Sequence, residues 1–244
     1  MSDKKSVSAF RVLKSSIIEI KNDPLMYSIF LFPVYLLSLI SFSYDDFIIV
    51  NNQDFEFYKY SSNSYLIGLL YALVESYIFA IIAVSIHNKI IKRNTTLKLF
   101  SKGIIIYAVF YLANHAEFLG YLIYNNLTIS FAVIINLALG LLWMIFYITS
   151  FLWLLYLPNI SVNDKKSFFY IFKNSYGARL TIIVQAVYLI PIFLIPYLIL
   201  TLLGGIKFGI IFTVPFIFVL AVTMLSHTYL EWQELERNTA EKNK

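Results

Sequence analysis

The stretch Tyr65-Leu-Ile-Gly-Leu-Leu-Tyr-Ala-Leu-Val-Glu-Ser-Tyr-Ile-Phe-Ala-Ile-Ile-Ala-Val-Ser-Ile86 decides the fold, together with the cations that follow it, Lys89, Lys92, Arg93, Lys98 and Lys102. Wound as an α-helix it rises about 33 Å, close to the roughly 30 Å hydrocarbon thickness of a bilayer. Glu75 is its one acidic or basic side chain. An apolar run of this length closed by a basic cluster reads as a transmembrane helix with its basic flank in the cytoplasm.

Working outward, similar runs recur at 25–43, 103–124, 129–157, 180–203 and 208–230. The sequence therefore predicts an all-α, polytopic transmembrane bundle of six spans, with residues 1–230 as one domain and 231–244 as a polar cytoplasmic tail. The basic residues fall in alternate gaps. Lys4, Lys5, Arg11, Lys14 and Lys21 precede the first span, and the five cations named above follow the second. Lys165, Lys166, Lys173 and Arg179 follow the fourth, and Arg237, Lys242 and Lys244 occupy the tail. Only Lys59 and Lys207 of the 19 basic residues fall on the other side, where the longest connection, 44–64, carries Asp45, Asp46, Asp54 and Glu56. The positive-inside rule then places both termini in the cytoplasm of a multi-pass protein of the inner (cytoplasmic) membrane. The first apolar run starts near Leu25, has full span length and lacks a small-residue cleavage site, so it is expected to remain as the first span rather than act as a signal peptide.

A chain of 244 residues that is 59% hydrophobic has too little polar surface for a soluble domain of that size. The net charge of +5 is concentrated in the gaps, which points to anionic headgroups and topology control and away from nucleic acid. The absence of Cys removes disulfides, thiolate metal sites and thiol catalysis.

Two gaps hold amphipathic patterns. In 6–22, Phe10, Leu13, Ile17 and Ile20 recur at steps of three and four among Arg11, Lys14, Glu19 and Lys21, up to the break at Pro24. In 161–176, Phe168, Phe169, Ile171, Phe172 and Tyr176 oppose Lys165, Lys166, Lys173 and Asn174. Ser161 and Asp164 have capping-box spacing. Both segments read as helices lying in the cytoplasmic interface, or packed on that end of the bundle. Phe10-Arg-Val-Leu-Lys14-Ser-Ser16 matches Phe169-Tyr-Ile-Phe-Lys173-Asn-Ser175 at three of seven positions, and Thr95–Lys102 looks like a shortened third copy. The pattern suggests three repeats of interfacial helix plus hairpin.

Pro158-Asn-Ile-Ser-Val162, Ser167-Phe-Phe-Tyr-Ile-Phe-Lys-Asn-Ser175 and the opening Phe10–Pro24 segment carry a family resemblance. The chain resembles the six-span membrane domain found beside some bacterial glycerophosphodiester phosphodiesterases, and the related YciC-type small membrane proteins. The resemblance implies fold and location. The phosphodiesterase activity of such proteins belongs to a separate soluble barrel, so no catalytic residue is implied.

Polar groups within the spans are the remaining candidates. Glu75 lies near the middle of the second span, and Asn114, His115 and Glu117 lie in the outer half of the third. As sequential antiparallel helices these could bring their polar groups together. They would then form a site for a proton, cation or polar headgroup, or an interhelical hydrogen-bond clamp. Asn136 and Gln185 read as packing contacts. His87 and His227 share a depth near the cytoplasmic ends and read as solvated interfacial side chains. No His-Glu-x-x-His or Gly-x-Ser-x-Gly occurs, and no ligand set for a metal is visible. No catalytic residue, cofactor or metal is therefore expected, and the chain does not read as an enzyme. The expected partners are membrane lipids, with a protein partner or a homo-oligomer left open. Arg11, Lys14, Lys165, Lys166 and Lys173 are the candidate headgroup-binding residues. The other function class is a small transporter or channel built on Glu75, Asn114, His115 and Glu117.

Overall fold

The computed structural model describes residues 7–51, 62–93, 101–112, 137–138, 140–141, 144 and 154–242. Every continuous element among them is an α-helix: α1 (Ala9–Asn22), α2 (Pro24–Asn51), α3 (Ser62–Lys92), α4 (Lys102–Leu112), α5 (Tyr156–Ser161) and α6 (Phe168–Asn174), then one long run, Tyr176–Lys242. Gly205 interrupts that run with φ 86° and ψ 170°, a conformation open in practice only to glycine. We treat the two parts as α7 (176–204) and α8 (206–242).

The break turns the chain back on itself. Gln185 Nε2 donates to Thr228 Oγ1 at 2.8 Å, although 43 residues of straight helix would separate them by about 64 Å. Nearer the turn the two helices almost touch. A Cβ added at Gly209 would stand 2.3 Å from Thr201 Oγ1 and 3.0 Å from the Tyr197 ring. The hairpin expected at 204–207 is thus present, and Pro191, Pro196 and Pro215 lie inside its helices.

Leu69–Lys92 of α3 and the Tyr176–Glu241 run are long and apolar enough to cross a membrane. Ala9–Asn22 and Pro24–Ile40 pass the same test only as a pair, bent by 97°, which gives two or three candidate crossings counted this way. The expected third span is described only through α4, and most of 129–157 lies outside the described residues. The helix over the expected first span is longer than that span, since α2 continues to Asn51 and takes in part of the connection predicted at 44–64. The helix over the expected second span extends past Ile86 to Lys92, where Arg93 adopts φ 54° and ends it.

The bundle has two apolar centres. Tyr27, Phe30 and Val34 of α2 pack with Ala80, Ala83, Val84 and Ile86 of α3, with Ile104 and Tyr107 of α4, and with Val219 and Val222 of α8. The second centre joins Val12 of α1, Ile171 of α6, Ala178 and Ile182 of α7, and Leu220, Met224, Tyr229 and Trp232 of α8. Its last members lie at the edge of the expected tail. α8 runs without a break to Lys242, and Trp232 and Gln233 are buried, so helix and core both extend past residue 230.

Candidate functional site

The gaps predicted to share one side of the membrane meet at one end of the bundle. Lys89 of α3 is the link to α1. Its side chain is 7% exposed, and its Nζ lies 2.6 Å from Glu19 Oε1 and 3.2 Å from Asp23 Oδ2. It also stands 5.0 Å above the Tyr27 ring. A lysine so buried requires compensating charge, and the α1–α2 elbow supplies two carboxylates. At its other end α1 is tied to α8. Arg11 grips Glu231 with both guanidinium arms, Nε to Oε1 at 3.0 Å and Nη2 to Oε2 at 2.7 Å. This fork is the geometry that arginine favours with carboxylates. Between the two anchors Val12 and Ser16 are fully buried.

His87 corrects the sequence reading. It is 0% exposed at the junction of α3, α4 and α8 and is not a solvated interfacial side chain. Its Nδ1 lies 2.6 Å from Ser226 Oγ, and its Nε2 bonds the Tyr107 hydroxyl. Ser226 gives its own hydrogen to Val222 O at 2.8 Å. Nδ1 must therefore carry the imidazole hydrogen, leaving Nε2 to accept from Tyr107. Sequence reasoning missed this because a histidine next to Lys89 looks interfacial until the helices that cover it are known.

The capping box read at Ser161 and Asp164 is also corrected. Ser161 ends α5 and donates back to Leu157 O at 2.8 Å, as a hydroxyl inside a helix does. Asp164 instead accepts from the Tyr229 hydroxyl at 2.8 Å and from Gln233 Nε2 at 2.7 Å. Tyr229 is also within 2.9 Å of Asn159 Oδ1, and Asn88 Nδ2 donates to Ser161 O at 3.0 Å. These bonds pin the 159–166 turn to α3 and α8. The helix expected over 161–176 shortens to α6, capped by Ser167, whose hydroxyl accepts from Tyr170 N at 3.3 Å.

α1 and α6 share several features over residues 8–16 and 167–175, although α1 continues to Asn22 and α6 ends at Asn174. Ser8 caps α1 as Ser167 caps α6, each accepting from the amide three residues on. Two residues beyond each cap stands an exposed aromatic ring, Phe10 at 66% and Phe169 at 78%. Val12 and Ile171 are buried at equivalent positions, as are Ser16 and Ser175. Arg11 binds Glu231, and its counterpart Tyr170 donates its hydroxyl to Glu236, one turn and a half further along α8. That bond holds the Tyr170 phenol above its ordinary pKa. Lys14 and Lys173 are exposed at matching positions.

The structure divides the five candidate headgroup residues. Arg11 is paired as described. Lys166 Nζ lies 2.5 Å from Glu236 Oε2 and 4.6 Å above the Trp232 ring. Lys14, Lys165 and Lys173 are exposed and have no acidic partner among the described residues. The predicted apolar stripe of α1 is divided, with Leu13 and Ile20 packed against the core. Phe10 and Ile17 are exposed, and Val12 and Ser16 face the bundle, because the anchoring side chains Arg11, Glu19 and Asp23 set the roll of the helix. Glu75 is half-buried in α3, whereas Asn114, His115 and Glu117 lie outside the described residues. Gln185 is buried in a helix–helix hydrogen bond, as read. Among the described residues no three His, Asp or Glu side chains converge on a possible metal position.

No protein-family description, curated protein or solved structure matches the chain.

Proposed function

We propose that this chain is a non-enzymatic, multi-pass protein of the bacterial inner membrane, with six spans and both termini cytoplasmic, that interacts with membrane lipid in an accessory role in the cell envelope. The YciC-type resemblance supports the same reading. The observation that carries it is the exposed surface of α1 and α6. Phe10 and Phe169 are exposed beside the exposed Lys14 and Lys173. α1 is bent 97° from the apolar helix that follows it. A helix turned across the bundle axis, with exposed rings and lysines, suits the boundary between acyl chains and anionic headgroups. Roughly 1 kcal/mol per lysine near an anionic leaflet is enough to bias which lipids surround the protein.

The test is lipid selectivity. Tryptophan fluorescence of the protein in phosphatidylcholine vesicles is quenched with brominated phosphatidylglycerol or brominated phosphatidylcholine. Stronger quenching by the anionic lipid is expected, reduced by the triple variant Lys165→Glu, Lys166→Glu, Lys173→Glu. Equal quenching by both lipids in the native protein would overturn the proposal.

Half-burial of Glu75 within a span favours one other reading, a proton or cation site on α3 in a small transporter or channel. Native mass spectrometry of the native protein beside Glu75→Gln tests it. A small molecule lost only in the variant supports a site there, and identical spectra count against one.

A further inference from the structure

We infer that α1 and α6 form two equivalent docking sites, each holding one anionic phospholipid of the membrane in which the chain sits. This inference rests on the lipid-interacting reading above and adds the number of sites, their residues and the class of ligand.

The argument starts from the stripes the two helices leave uncovered. On α1, Phe10, Lys14 and Ile17 follow one another at steps of four and three and so line one face. On the α6 side the same steps give Phe169, Lys173 and Tyr176, the last just past the break that begins α7. All six are exposed: Phe10 66%, Ile17 48%, Phe169 78%, Tyr176 62%, and both lysines. Each stripe thus offers an aromatic ring, a cation one turn on, and a second apolar group beyond it.

The opposite faces are equally alike. Val12 and Ser16 on one helix, and Ile171 and Ser175 on the other, are at most 2% exposed. Each helix is also tied to α8 through the residue after its exposed ring, Arg11 to Glu231 and Tyr170 to Glu236. With a buried face and a side-chain tie, neither helix is free to roll. The stripes are therefore held outward before any ligand arrives, and little ordering cost remains for binding.

The ligand class follows from charge and polarity. A lysine between an aromatic ring and a second hydrophobic side chain, Ile17 on α1 and Tyr176 on the α6 side, lacks the converging donors of a pocket for a small soluble anion. Arg179, a further cation near the α6 stripe, stands 5.9 Å over the Tyr176 ring and donates to Phe172 O at 2.7 Å. Each stripe complements a phosphate that is attached to hydrocarbon: the ring and the second hydrophobic side chain meet the glycerol and acyl region, and the ammonium meets the phosphate. Arg11 and Lys166 add little to such a site because Glu231 and Glu236 already hold them.

The experiment is native mass spectrometry of the full chain released from nanodiscs of mixed phosphatidylcholine and phosphatidylglycerol, counting retained phosphatidylglycerol. The native protein is expected to keep two. Lys14→Gln and Lys173→Gln should each weaken one site roughly fivefold, so that the two-lipid species falls and the one-lipid species rises. The double variant should weaken both sites and shift the distribution toward the lipid-free chain. Phe10→Ser and Phe169→Ser should reproduce the pattern without altering charge. If the native protein keeps no phosphatidylglycerol, the lipid-interacting reading fails and this inference fails with it. If it keeps phosphatidylglycerol but one single variant abolishes all retention, or neither changes it, the two-site inference alone is overturned. Loss of retained lipid on adding inorganic phosphate to the native complex would show a site for free phosphate and would also overturn it.

Discussion

Replacing Lys89 with Met removes the ammonium that joins the α1–α2 elbow to α3 and keeps most of the aliphatic stem. The lysine side chain is 7% exposed, and its partners Glu19 and Asp23 are 20% and 38% exposed. Breaking a fully buried pair costs about 3–5 kcal/mol, and breaking a surface pair costs about 0–1 kcal/mol. Water reaches both carboxylates here, so the expected loss lies between those limits, at about 2 kcal/mol. For a chain of this size that lowers Tm by roughly 4–8 °C. The assay is thermal unfolding in detergent of the native protein, Lys89→Met, Glu19→Gln and the double variant. The cycle should return a coupling of about 1 kcal/mol, because the second variant loses a bond already broken in the first. Amide exchange over the end of α1 near Glu19 should accelerate in Lys89→Met while α3 stays protected, since the lost contact is one of the two that anchor α1. An unchanged Tm, or strictly additive effects of the two substitutions, would refute the reasoning.

Other substitutions probe the remaining contacts by the same unfolding measurement. His87→Phe strands the Tyr107 hydroxyl and should cost about 2–3 kcal/mol, part of which returns in the double variant His87→Phe, Tyr107→Phe. Gly205→Ala forces a Cβ into a conformation with φ 86°, at a cost of about 1–3 kcal/mol. Gly103→Ala places a Cβ 2.9 Å from the Ser161 Cα, where neither backbone can yield, and should cost about 1–3 kcal/mol. The raised pKa of Tyr170 means that the folded chain holds this proton more tightly than the unfolded chain. Its contribution to stability is complete below pH 10 and declines as pH rises further, so Tyr170→Phe should flatten that decline in unfolding measured against pH.

The elements most legible in the sequence are those set by local chemistry. Pro24 ends the first amphipathic helix, the Gly204–Lys207 turn makes a hairpin, and the apolar runs around Glu75 and Gln185 are helices of span length. Contacts between distant residues were not legible. The steps of Phe10, Leu13, Ile17 and Ile20 define an apolar stripe on α1, but the roll of that helix is set by Glu231 and Lys89, 220 and 70 residues away. Ser161 and Asp164 have the spacing of a cap, and α5 takes the serine for a different bond. His87 is buried by Tyr107 and Ser226, which approach it only once α3, α4 and α8 pack. The match between Phe10–Ser16 and Phe169–Ser175 rests on three identities in seven positions. In three dimensions the substituted positions also correspond, Val12 with Ile171 in burial and Arg11 with Tyr170 in its tie to α8.

The central claim, that α1 and α6 lie at the boundary between headgroups and acyl chains, can be tested directly because the chain contains no Cys. Spin labels on Phe10→Cys and Phe169→Cys, with the protein reconstituted in vesicles, report depth through their accessibility to oxygen and to a water-soluble nickel chelate. The account predicts that both labels are reached readily by oxygen and poorly by nickel, at matching depths just below the headgroups. Free access of nickel to both labels would place these helices in water and contradict it.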